Sequence, residues 1–120
     1  MARLDVQPDR VRVQLFWWEK AAIRRSHLTI PRRAITGVTV VTDTWDAVGE
    51  GRYEQSAKVP GLTRSGTVVS EDGSGDRTFA LCHRRGPGLV LHLQGATFRR
   101  IVLSTPGLEA AEQYAEAIGV

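Results

Sequence analysis

Apolar residues in this chain recur at every second position in short runs, and only the C-terminal segment spaces them by three and four. Side chains alternate across a strand with period two, whereas a helix returns to one face after three or four residues. The pattern therefore calls for a mainly β fold that ends in a single helix. Val11, Val13, Leu15 and Trp17 alternate with Arg12, Gln14 and Phe16, as a half-buried first strand should. His27–Ile30 forms a short second strand, ended by Pro31, which has no N–H to give a ladder. Ile35–Val41 is rich in β-branched residues and reads as a third strand, with a bulge at Gly37.

Asp43 can cap a short helix over 43–48. Gly49–Ser65 has no clean period, holds Gly49, Gly51, Pro60 and Gly61, and reads as the long loop of the domain, with Trp45 packed beneath it. Gly66–Ser70 and Arg77–His83 flank the turn Glu71–Asp76 and form a hairpin. Gly86-Pro87-Gly88 makes the next turn, Leu89, Leu91 and Leu93 the inward positions of the following strand, and Gly95-Ala96 the turn into a last strand near Phe98–Leu103. Thr105 is then a candidate N-cap with Pro106 at the first helical position. Leu108, Ala111, Ala115 and Ile118 share one face of the helix, and Gly119 ends it.

About seven short strands followed by one amphipathic helix disfavour a parallel α/β sheet and point to an antiparallel sheet bent into a barrel or sandwich. At 120 residues the chain reads as one domain over 1–120, with its core at about 9–118. A hydrophobic fraction of 42% and a charged fraction of 24% argue against disorder. No apolar run approaches the roughly 20 residues that span a bilayer. The N-terminus meets charge and Pro8 before any apolar stretch, so no signal peptide is expected. The expected location is cytoplasmic, or peripheral at a membrane.

The net charge of +3 conceals segregation. Residues 1–42 carry a balance of +5 and 43–76 one of −4; 77–105 hold five arginines and no acid, and the last fifteen residues three glutamates and no base. Arginines pair at 24–25, 32–33, 84–85 and 99–100. A basic surface of this kind can meet phosphates or carboxylates. Lys20, Arg24, Arg25, Arg32 and Arg33 are the first candidates for ligand contact, Arg84 and Arg85 the second, with Arg99 and Arg100 behind them. Two considerations temper the reading. Fourteen arginines against two lysines suggest a coding bias, and adjacent residues on a strand face opposite ways. The segregated charges could also bring the basic face of one copy to the acidic face of another.

The order of elements resembles the pleckstrin-homology-like fold, and more narrowly its short bacterial, actinobacterial members. The resemblance rests on Trp18-Glu19-Lys20, on Ile30-Pro31 with Ile35 and Val38, and on Asp43-Thr44-Trp45. It continues through Pro60-Gly61, Gly66-Thr67, Phe79, and Leu89-Val90-Leu91-His92-Leu93 leading to Phe98-Arg99-Arg100-Ile101-Val102. It implies a seven-stranded antiparallel barrel or sandwich with one C-terminal capping α-helix. It also implies a non-enzymatic binding or assembly module whose partner is a protein, a second copy or an anionic lipid surface. The family's basic residues on and around the first two strands would match Lys20, Arg24 and Arg25.

No motif names a reaction. A single cysteine, Cys82, excludes an internal disulfide and reads as a small core residue. His27, His83 and His92 lack zinc-motif spacing, and Asp43/Asp46 and Glu71/Asp72/Asp76 read as a helix start and an exposed turn. The glycine clusters do not join a strand to a helix, as a phosphate-binding loop would. No enzyme activity, metal or cofactor is therefore expected. The competing reading is a small basic β-barrel that binds nucleic acid, with Trp17 or Trp18 as a stacking platform. It is disfavoured by the acidic middle of the chain and by eight aromatics in 120 residues.

Overall fold

The computed structural model describes residues 3–14, 28–49, 52–59, 63–70, 75–83 and 86–119. Among these, nine strands form two sheets. The smaller sheet is antiparallel, in the order β1 (Arg3–Val6), β2 (Arg10–Gln14) and β3 (Leu28–Pro31). The larger contains β4 (Ile35–Val41), β5 (Arg52–Val59), β6 (Thr63–Val69), β7 (Arg77–His83), β8 (Gly88–Leu93) and β9 (Arg100–Ser104). Its order is β4-β8-β9-β7-β6-β5. Two helices lie among the described residues, α1 (Thr44–Val48) and α2 (Leu108–Ile118).

Pro31 ends β3 as expected, and a 3-10 turn at Arg32–Ala34 carries the chain from one sheet to the other. The β4 register shifts between Ile35 and Gly37 as it pairs with β8, which is the expected bulge. Of the expected barrel or sandwich, the two-sheet arrangement fits the sandwich; a closed barrel, and seven antiparallel strands in one sheet, do not form among the described residues. Two open sheets stand in their place, and the β7–β9 pair is parallel. The cause is a skipped position. The chain leaves β7, runs β8 one place further out beside β4, and returns as β9 in the gap. Two reversals leave β9 running the same way as β7.

The run 49–65 is not a long loop. Arg52–Val59 and Thr63–Val69 pair as antiparallel β5 and β6, with β5 at the sheet edge. An edge strand is held by its ladder on one side only and needs no apolar period, so its pattern is silent in sequence. β1 was likewise unexpected. It pairs with β2 across the turn in which Gln7 N–H donates to the Arg10 carbonyl at 2.9 Å.

The large sheet buries both faces. Its inner face carries Phe79, Leu81, Leu89, Leu91, Ile101 and Leu103, which meet Val11, Val13 and Ile30 of the small sheet and Ala111 and Ile118 of α2. Its outer face carries Val68, Ala80, Cys82, Val90 and Val102 beneath α1, where Val48 is buried and Trp45 packs beside Val41 and Ala47. Trp45 thus covers a sheet face rather than lying under a loop. Cys82 is buried in this layer, the core role expected of it.

α1 begins where expected, because the Asp43 carboxylate accepts from the N–H groups of Trp45 (3.0 Å) and Asp46 (3.3 Å). Thr44 N–H donates to the Gly86 carbonyl at 2.9 Å and so fastens the helix to the turn before β8. α2 starts later than expected. Gly107, not Thr105, takes the cap position, and the Thr105 hydroxyl instead donates to the Gly107 carbonyl at 2.8 Å. Gly119 ends the helix with φ 73°, a left-handed conformation that suits glycine. Ala111, Ala115 and Ile118 pack inward as expected, joined by Tyr114, but Leu108 on the first turn is 43% exposed.

Candidate functional site

The β8–β9 connection, Gln94–Arg99, is the part of the surface where sequence and geometry converge. Three backbone bonds fix its base. Leu93 N–H donates to the Arg99 carbonyl (2.9 Å), Gln94 N–H to that of Ala34 (2.9 Å), and Arg99 N–H to that of Arg77 (2.7 Å). Phe98 turns inward and stacks on Phe79, with ring centroids 5.0 Å apart and planes 17° from parallel. Gly95 turns the chain with φ 73°, and residues 94–97 stand exposed above this anchored base.

Depressions open on three sides of the loop. The largest, about 580 Å³, is a groove between the loop and β3. Ile30, Ala34, Leu93, Phe98 and Ile101 give it an apolar floor, and Arg33 stands at its rim. None of its described lining residues is Asp, Glu, His or Cys. A second depression, about 270 Å³, lies toward Asp76 and Arg77; a third, about 520 Å³, lies between Thr36, His92, Arg99 and Arg100. The His92 ring is held at 2.9 Å from the Thr39 hydroxyl. Among the described residues, no group of three His, Cys, Asp or Glu side chains could hold a metal ion.

The arginines divide by what they touch. Arg32 is half-buried and donates to the carbonyls of Gln7 (3.3 Å) and Ile118. It therefore ties the β1–β2 turn to the carbonyl end of α2, where a cation is favoured. Arg100 donates to the carbonyls of Ala47 (3.0 Å) and Val48 (3.4 Å) and so closes the end of α1 on the outer face. Arg33 and Arg99 are exposed, and neither makes a side-chain bond among the described residues. Lys20, Arg24, Arg25, Arg84 and Arg85 lie outside the described residues.

The contrast within the 32–33 pair is testable. Arg32→Ala should cost about 1–2 kcal/mol, because each lost charged donor leaves a carbonyl short of a partner. Arg33→Ala should stay within about 0.5 kcal/mol, as exposed sites without partners do. Urea unfolding of the two variants checks both values. Equal losses would mean that the Arg32 bonds carry no stability.

Sequence reading had flagged Arg33 and Arg99 from their pairing, but it had no means of separating them from Arg32 and Arg100. It had treated Gly95-Ala96 as a turn only. The apolar floor was legible as core residues, not as a floor, because a groove exists only where two sheets fail to close over it.

The class defined by this fold is mainly β, with two sheets and one C-terminal helix. Compared with protein families, with characterised proteins and with solved structures, the chain finds no match. Among the described residues no helix is long and apolar enough to cross a membrane.

Proposed function

We propose that this chain is a non-enzymatic binding or assembly module that holds an acidic segment of a protein in the groove beside the β8–β9 loop. The observation that carries the reading is the pairing of an apolar floor with a basic rim. Arg33 at the rim is exposed and uncommitted, and no acid lines the groove among the described residues; Arg99, likewise exposed, stands across the loop in the two neighbouring depressions, one of which also holds Asp76. Apolar contact supplies affinity in such a site, and arginine forks supply orientation toward carboxylates. The described lining residues carry no acid–base pair and no thiol, the groups that turnover would draw on. Nucleic acid is less well served, since the aromatic ring among the groove's described lining residues, Phe98, is buried against Phe79.

The test is fluorescence polarisation with a dye-labelled dodecapeptide of alternating glutamate and leucine, beside its glutamine counterpart. Binding should be preferential for the glutamate peptide and should weaken as salt rises through roughly 0.05 to 0.5 M. The variant Arg33→Ala/Arg99→Ala should bind on the order of tenfold more weakly. Equal binding of both peptides, or full binding by the double variant, would overturn the reading. So would sedimentation with anionic vesicles through the same arginines without any peptide binding.

A further inference from the structure

We propose that the acidic segment belongs to a second copy of this chain, and that the first turn of α2 in one copy seats in the groove of the next. The inference rests on the reading of the groove given above. Among the described residues Leu108 is the one large apolar side chain that stands exposed, at 43%. Glu109 and Glu112 are exposed on the same helix. At about 100° per residue, Leu108, Glu112 and Glu109 follow one another within an arc of about 100° of the helix surface. That arc offers one apolar side chain at its edge beside two carboxylates. The groove offers an apolar floor beside Arg33, with Arg99 across the β8–β9 loop. Its volume of about 580 Å³ lies in the range of pockets that enclose a sizeable ligand. The last fifteen residues carry three glutamates and no base, so no cation of α2 itself opposes the approach.

The topology decides what kind of assembly follows. β9 runs from the groove end at Arg100 to Ser104, and Thr105 N–H then donates to the carbonyl of Pro87 in the turn before β8. The first turn of α2 thus begins at the end of the sheet opposite the β8–β9 loop. A strand of five or six residues separates the two by roughly 17–20 Å. Copies stacked end to end through these surfaces make a heterologous, head-to-tail contact in place of a two-fold one. Each added copy brings a new free groove and a new free helix, so growth continues into a ring or an open chain.

The test is sedimentation velocity on the full chain over a concentration series at low and high salt. The wild type should associate beyond the dimer and return toward the monomer at about 0.5 M salt, where exposed charges are screened. Arg33→Glu and Glu112→Arg should each weaken association on the order of tenfold, and the chain carrying both should regain it. All these side chains are exposed, and circular dichroism would verify that the variants fold. A dimer that grows no further, a monomer at every concentration, or association indifferent to Arg33→Glu would overturn the proposal. The two readings fail separately. A monomer that still takes the glutamate peptide through Arg33 and Arg99 leaves the binding module standing and removes only the second copy as its partner; a monomer that takes no peptide removes both.

Discussion

Gly88→Ala is expected to cost about 3 kcal/mol or to prevent folding, although it adds a single methyl group. A Cβ at Gly88 would sit 2.0 Å from the Leu103 carbonyl oxygen and 2.3 Å from Thr44 Cγ2. Both neighbours are fixed. Leu103 belongs to β9, which pairs with β8 through the register Gly88↔Ser104, and Thr44 is fully buried with its N–H bonded to Gly86. Relief would need β8 to move from β9 or α1 to lift from the outer face. Overpacking of well-packed cores usually costs about 1–3 kcal/mol, and a backbone neighbour places this site at the upper end. Gly86→Ala two residues earlier is the control, because among the described residues nothing lies within 4 Å of its added Cβ. It should change stability by no more than about 0.5 kcal/mol. Urea denaturation of the pair decides the matter; similar midpoints would mean that α1 does not rest on β8 as described.

Phe79→Ala should be comparably severe, at about 3–5 kcal/mol, the usual range for a fully buried phenylalanine. Phe79 is wholly buried at the centre of the inner face, opposite Ile101 in register. It also stacks on Phe98, so the substitution withdraws the anchor of the β8–β9 loop as well as core volume. Phe79→Leu keeps most of the volume and should cost about 1.5 kcal/mol or less. Two readouts separate the effects. Unfolding midpoints report the core, and amide exchange at residues 94–99 should quicken even in Phe79→Leu, since the ring–ring contact is lost in both. Unchanged exchange in the leucine variant would show that the three backbone bonds hold the loop unaided.

How much of this was legible depended on which face of each element is buried. β4, β7 and β8 read almost to the residue, because apolar side chains filled their inner positions and turn residues bounded them. The Asp43 cap and the Gly119 stop were equally plain, since each reflects a local backbone requirement. β5 was lost because an edge strand owes its existence to a partner and not to its own period. Leu108 was placed inward because its spacing matched Ala111 and Ala115; spacing states which residues share a face, not how far along the helix the core extends.

The candidate site follows the same division. The charge segregation and the arginine pairs are properties of the chain and were visible at once. Which member of a pair is spent on structure was not, because a guanidinium's partners are carbonyls brought in from distant segments. Arg32 reaches Ile118 and Arg100 reaches Ala47, separations of 86 and 53 residues.

By itself the sequence determined a mainly β protein with a helix at its C-terminal end, since side-chain period and local capping are set by neighbours a few residues apart. Tertiary structure alone decided that there are two sheets rather than one barrel. It alone decided that β9 enters between β7 and β8, and that Arg33 and Arg99 remain exposed, the first beside an apolar groove and the second across the loop from it. Those outcomes depend on contacts between residues far apart in the chain, which no local pattern encodes.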